Sequence, residues 1–377
     1  MRDILFYDFD FNLLADFPRV ISLNIEKKYC GYGTAELHFS LKETEVLTLL
    51  ENNEYLFFVS GEHSAIVTGW KVSDDIAIFG RTPEWLLTKR GIAAFSYSNQ
   101  NTEIMTRGVV NSAAGDFMFL GSYGALGIAA DNYSTAQPKL AYDVVCEVLK
   151  KQKLGFEVTP IISSKKFRFD VYSGAERTLL LSKSNRTAYD MVRTVEKQDM
   201  VTNSGWYERK MEDMGDWDAV TNSPLLVNTS ASNAYKYYKI TSEDYTRFNL
   251  TCAKGSYLYS DTADGTWKVS DEKPDDVWLR INNTSVSGAK RWETVLSGTK
   301  TVTEATAALK EMSKTEATTT EMRGIEYGTD YNLGDIVRVQ FEAGDFKKTE
   351  KKRVTSVNIY YDVDKSGVLP TLSSLEE

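Results

Sequence analysis

The chain has 377 residues, 42% of them hydrophobic and 26% charged, and a formal net charge of −9. This is length for two or three domains of ordinary globular composition, and the acidic balance argues against a protein that grips nucleic acid through a basic stripe. No apolar run approaches ~18 residues, so no membrane-spanning helix is expected, and the acids within the opening stretch MRDILFYDFDFNLLADF argue against a signal peptide.

Residues 1–40 alternate between apolar and polar positions. Ser22–Lys28 and Ala35–Leu41 read as strands, with Leu37 and Phe39 on one face and Gly31-Tyr32-Gly33 as the turn between them. Glu43–Glu51 has the spacing of an amphipathic helix. Tyr55–Ser60 and Ser64–Val72 then read as a hairpin, followed by a strand over 75–80. Thr82 is expected as an N-cap, with Pro83 at the first helical position and Glu84 in the first turn of a helix that carries Trp85, Leu86 and Leu87 towards Gly91.

Thr102–Ala113 is read as a helix and the Gly- and Ala-rich Gly115–Tyr133 as a loop. The clearest helix is Leu140–Lys151, with Leu140, Val144, Val148 and Leu149 on one stripe and Gly155 as its stop. Glu157–Pro160 and Phe167–Tyr172 return to strand alternation. Trp206, Trp217, Trp267, Trp278 and Trp292 all fall within 203–295, among strand-like pieces at Tyr235–Ile240, Ser256–Tyr259, Gly265–Val269 and Val277–Ile281. That stretch reads as a small all-β insertion. Val302–Ser313 is a second amphipathic helix, followed by a Thr-rich loop. Asp335–Phe341 and Arg353–Tyr361 form a second hairpin, the basic run Lys347–Arg353 is expected at its turn, and Leu369–Glu377 is expected as a tail.

One shape therefore occurs twice: a hairpin downstream of an amphipathic helix. Such organisation suits a ring-building structural protein better than an enzyme with a single cleft. The chemistry-bearing residues agree. His38 and His63 are the only histidines, and His38 lies in an alternating strand. No Ser-His-Asp or Cys-His set can be proposed, and a nucleophile needs a base within hydrogen-bond reach. Cys30, Cys146 and Cys252 show no metal spacing, and Cys146 reads as a packed thiol among valines. The 53 acids offer no spacing that picks out a catalytic pair. Asp362-Val363-Asp364-Lys365-Ser366-Gly367 is similar to the opening of a calcium loop, but Ser373 stands where the bidentate Glu is expected, so an ordinary turn is preferred. No catalytic, cofactor-binding or metal-binding residue is assigned.

Three segments, in order, carry a resemblance. Gly80–Arg90 (GRTPEWLLTKR) is similar to a Gly-Arg/Lys-Ser/Thr-x-x-x-Leu-Leu-x-Arg-Arg run. Phe167–Thr178 (FRFDVYSGAERT) is similar to Phe-x-Phe-x-x-Tyr-x-Gly-x-Asp-Arg-Thr, with Glu176 in place of Asp. Tyr327–Val337 (YGTDYNLGDIV) is similar to Tyr-Gly-x-Asp-Tyr-x-Leu-Gly-Asp-x-Val, and Arg291-Trp292-Glu293 to an Arg-x-Glu strand. Together they resemble the tail-associated (Tal) or baseplate-hub family of long-tailed bacteriophages, in a short form similar to lactococcal-type siphophage hubs.

The resemblance covers about 1–200 and 290–365 and implies a β-rich α+β fold. The expected division is a tube-like β-barrel at 1–98, a helix-containing α+β domain at 99–165 and a second, discontinuous barrel at 166–202 and 291–365. A β-rich insertion at 203–290 and a tail at 366–377 complete it. The resemblance also implies a homotrimer at the virion tail tip, assembled in the bacterial cytoplasm, that adapts a hexameric distal tail protein and closes or opens the DNA channel. Tape measure and receptor-binding proteins are further implied partners, with phage DNA passing through without sequence-specific binding. The expectation is a protein that is not an enzyme and needs no cofactor. The alternatives are a cell-wall hydrolase and a binder of host polysaccharide through the Trp-rich insertion.

Overall fold

The computed structural model describes residues 3–126, 133–135, 137–196, 203–220, 229–241, 253–282, 291–299, 301–312, 315–322, 324–362 and 365–375. The fold is β-rich α+β, and it divides into two compact units. One comprises Met1–Thr194 with Glu316–Glu377, the other Val195–Thr315.

In the first unit, period-two alternation sets the faces of the strands. β3 (Ser22–Lys28) buries Leu23 and Ile25, and β4 (Thr34–Phe39) buries Ala35, Leu37 and Phe39. β1 (Ile4–Asp8), β2 (Leu13–Phe17), β5 (Leu56–Ser60), β6 (His63–Val72) and β7 (Ile76–Arg81) complete a sheet ordered β2-β1-β5-β6-β7-β4-β3. Its inner core joins Ile4, Phe6, Ile25, Phe39, Phe58 and Ile78, and α1 (Thr44–Asn52) adds Val46 and Leu50 to it.

The opposite face of β1, β5 and β6 is also covered. Tyr7, Phe57 and Ile66 pack against α2 (Thr102–Ala114), α3 (Ala141–Lys151) and the antiparallel strands Gly155–Ile161 and Lys166–Tyr172. This two-sided burial explains the uninterrupted apolar run Leu56-Phe57-Phe58. α2 starts at Asn101, whose side-chain oxygen accepts from the Glu103 and Ile104 amides at 2.8 and 3.4 Å. Within the expected loop 115–133, Met118–Leu120 instead forms a short strand parallel to Phe167–Phe169. Pro83–Lys89 is a 3-10 turn rather than an α-helix. Thr82 precedes it, but its hydroxyl accepts from Gly33 N at 2.7 Å instead of capping.

The second half of this unit has its own core: Leu181, Tyr331, Val337, Val339, Val354 and Leu372. Glu176–Ser182 runs parallel to Ile336–Ala343, which pairs antiparallel with the long strand Phe346–Asp362. The far end of that strand pairs with β3, Ile359 opposite Ile25, so both halves share one 13-stranded sheet. Both hairpins form, and both close on a two-residue turn led by glycine with φ near +60°. These are Gly61-Glu62, between Ser60 and His63, and Gly344-Asp345, between Ala343 and Phe346.

Several expectations are corrected here. The basic run Lys347–Arg353 is not a turn; the glycine at 344 closes the hairpin earlier and the run lies in the strand, with Lys352 fully buried. The expected tail forms the strand Ser366–Ser374, paired to the long strand from Lys352 to Tyr361. The Thr-rich stretch is the strand Thr315–Met322, whose β-branched residues suit its pairing with that last strand. Asp362 N donates to Lys365 O at 2.7 Å, a turn between strands; Asp364 lies outside the described residues.

Among the described residues the second unit contains two small sheets. Ser204–Arg209 lies between Val277–Asn282 and Glu293–Val295. Glu212–Asp216, Lys236–Lys239, Tyr257–Ser260 and Lys268–Ser270 form the other sheet. The helix Val302–Glu311 belongs to this unit: its Ala305 and Leu309 pack on Tyr207 and Leu296. The sequence reading put 291–315 with the second barrel. The helical apolar stripe packs on Tyr207 of the insertion and on Leu296 just beyond it, and the repeated shape is confined to the hairpins.

Candidate functional site

Two of the three resemblance segments, far apart in sequence, meet at one joint in the first unit, and the third lends Glu84 to the cavity beside it. At its centre is Asp335, 2% exposed. Its carboxylate accepts from Ala175 N at 2.7 Å, Asn332 N at 2.9 Å and Arg177 Nε at 2.6 Å. These bonds tie the turn before Ile336–Ala343 to the turn before Glu176–Ser182. Two glycines allow the approach. A Cβ on Gly174 would lie 1.8 Å from the Gly334 carbonyl oxygen. One on Gly334, whose φ is +93°, would lie 2.1 Å from the Tyr29 ring. The Tyr29 hydroxyl accepts from Gly174 N at 3.2 Å and donates to Lys153 O at 2.8 Å. Arg353 donates to Gly334 O at 2.7 Å, and its guanidinium lies 5.1 Å from the Tyr29 ring centre.

Beside this knot is a cavity of about 320 Å³, lined in part by Lys27, Glu84, Glu157, Tyr172, Tyr327 and Asp335. Lys27 and Glu157 form an ion pair across it. Burial opposes the Lys27 charge, but the Glu157 carboxylate outweighs it and the lysine pKa ends above its ordinary value. Glu84 is buried. One of its oxygens accepts from Val158 N at 3.0 Å, and the other has no hydrogen-bond partner among the described residues. Burial raises its pKa, against the opposing effects of Thr82, Val158 N–H and Lys27. Tyr172 and Tyr327 are likewise held above the usual phenol range by burial.

The arrangement is suited to fixing geometry: acids, bases and phenols here bind each other and backbone amides. The histidines are elsewhere. His38, on β4, contacts Asp75 at 2.6 Å and Glu36 at 3.0 Å. Burial lowers its pKa, but these hydrogen bonds outweigh it and the net shift is upward. Cys30 and Cys146, remote in sequence, meet in the core around α2 and α3, the Cys30 thiol 3.9 Å from the Cys146 carbonyl oxygen. The Cys146 neighbour and burial push the Cys30 pKa up. Cys252 lies outside the described residues. Among the described residues no group of three or more His, Cys, Asp or Glu is arranged to hold a metal ion. Gly174, Arg177, Gly334 and Asp335 all fall within the resemblance segments, but no local pattern shows that they pair.

In sequence the chain matches no protein-family model and no curated protein. In structure it is similar to the tail protein from Neisseria meningitidis MC58, with 8% identity and a TM-score of 0.51 over 99% of this chain and 96% of that one. It also aligns with the 43 kDa tail protein of prophage MuSo2 from Shewanella oneidensis, with 9% identity and a TM-score of 0.49 over 99% and 98%. A third alignment is with prophage tail protein gp18 from Listeria monocytogenes EGD-e, with 9% identity and a TM-score of 0.46 over 100% and 95%. The Neisseria likeness shows a shared fold along nearly the whole of both chains.

Proposed function

We propose that this chain is a structural hub at the tail tip of a bacteriophage. It acts as a homotrimer whose subunits each present two related β-units, giving a pseudo-six-fold ring. The ring adapts a hexameric distal tail protein and closes or opens the DNA channel. The fold shared with the Neisseria tail protein carries this reading, and the two hairpins with matching glycine-led turns support it. A three-fold body meets a six-fold tube only if each chain offers its docking unit twice, and closed symmetry makes the assembly self-limiting.

β2 adds support. It ends the 13-stranded sheet and leaves Leu13 and Leu14 exposed, an apolar edge that a neighbouring subunit covers in this reading. The net charge of −9 suits a lumen past which phosphates slide. Tape measure and receptor-binding proteins are the further partners. The reading assigns no catalysis to the chain.

Mass measurement of the purified full chain, alone and with a hexameric distal tail protein, tests the proposal. A trimer is expected, with image averages showing a ring of three subunits. A stable monomer or a different rotational symmetry would refute it. A zymogram on purified cell wall should stay unlysed; clearing abolished by replacing one carboxylate would establish an enzyme instead.

A further inference from the structure

The second unit exposes an aromatic sheet face that the hub reading does not use. Ser204–Arg209 pairs with Val277–Asn282 so that Trp206 lies opposite Arg280 and Glu208 opposite Trp278. Side chains two apart on a strand share a face, so these four stand together. Val295 joins them from the third strand, opposite Trp206. Trp206 is 38% exposed, Trp278 49% and Val295 59%. The other face of the same sheet carries Tyr207 and Leu279 into the core with Leu296 and Leu309, so the outer indoles are not needed to hold the unit together.

The polar groups on this face are already paired. Glu293 accepts from Trp206 Nε1 at 3.1 Å and bridges Arg280 at 3.5 Å and Arg291 at 2.8 Å. The indole of Trp206 is thereby fixed in orientation, with the Arg280 guanidinium 5.9 Å from its ring centre. With Glu208 included, the face carries two cations and two anions and no net charge.

We propose that this face binds an uncharged polysaccharide, with sugar rings stacked on Trp206 and Trp278 and hydroxyls meeting the Glu208, Arg280 and Glu293 groups. Two observations select this ligand class. Internal neutralisation of Arg280 and Arg291 leaves no free field for an anionic polymer. A protein partner favours a charge-depleted interface centre, whereas here the ion pairs sit among the aromatic rings. Adjacent diagonal positions on paired strands are about 7–8 Å apart, a spacing that lets neighbouring sugars of one chain meet successive indoles.

The test uses the full chain, with tryptophan fluorescence titration and affinity electrophoresis against cellohexaose, chitohexaose, maltohexaose and dextran. Binding to at least one probe is expected, unchanged between low and high salt. Trp206→Ala and Trp278→Ala should each weaken it about tenfold, in line with the loss of one aromatic stacking contact. Trp85→Ala, in the first unit, should leave it intact. Melting curves confirm that the variants fold, and Trp206→Tyr, which keeps a ring, should restore most of the affinity. No binding to any of the four probes overturns the proposal, as does binding that survives the double Trp206→Ala/Trp278→Ala change. Binding that collapses in salt would assign the face to an anionic ligand, and oligomer loss in the double variant would assign it to a protein contact; either refutes the proposal. The hub reading does not depend on the outcome.

Discussion

Replacing Asp335 with Asn separates a built joint from a casual ion pair. Asparagine preserves the volume but replaces one acceptor oxygen with an NH₂ donor. In its better orientation the amide oxygen still accepts from Arg177 and Asn332, and the NH₂ then faces the Ala175 N–H, which loses its acceptor. An orphaned buried donor costs about 1–3 kcal/mol. The Asn332 N–H bond drops from charge-assisted to neutral, roughly halving it, and the Arg177 bond keeps its cationic donor but loses the ion-pair attraction. The Arg177 share is discounted because that side chain is 35% exposed and screened by solvent. The sum is about 3 kcal/mol, or a fall of roughly 6–10 °C in the melting temperature of the first unit. Arg177→Ala alone should cost about 1 kcal/mol, since water replaces the guanidinium more easily than it reaches a buried N–H. Calorimetry gives the magnitudes, and amide exchange at Ala175 and Asn332 gives the location. A loss below about 1 kcal/mol for Asp335→Asn, or equal losses for the two variants, would refute the assignment of Asp335 as the centre of the joint.

Three further outcomes are expected. Glu84 has a raised pKa, so the folded chain keeps a proton that the unfolded chain releases. Its contribution to stability is therefore present at acid pH and lost as pH rises through the folded value; Glu84→Gln should flatten that decline in melts taken across pH 4–7. Gly334→Ala forces a Cβ into the Tyr29 ring at a φ of +93° and should lower stability by more than 2 kcal/mol in urea unfolding, whereas Gly344→Ala, which meets no atom within 4 Å, should pay only the backbone strain. Trp217 is fully buried against Tyr238, Ile240 and Leu258, so Trp217→Ala should cost about 3–5 kcal/mol. Calorimetry should show it lowering the transition of the second unit while that of the first stays in place.

Local rules were enough where one local preference governs the element. The stripe Val144, Val148 and Leu149 gave α3 to within a residue, and alternation at Leu37 and Phe39 gave the inward face of β4. The errors fall where two local preferences compete. Thr315–Met322 and Ser366–Ser374 carry Thr, Ser and Pro that suit loops; they become strands because they pair with each other across some fifty residues and the second also pairs with the strand before it. The helix Val302–Glu311 showed its stripe, but not which unit would bury it.

By itself the sequence determined the strands of the two hairpins, which show in side-chain periodicity within a few residues, and the segments that carry the tail-protein resemblance, which implied the β-rich α+β class. Only the tertiary structure decided that Gly174, Arg177 and Asp335 meet, that Lys352 is buried and that Trp206 and Trp278 share an open face while Trp217 is enclosed. Burial and charge pairing depend on contacts between segments separated by 160 residues or more, and no local pattern encodes which distant strand becomes a neighbour.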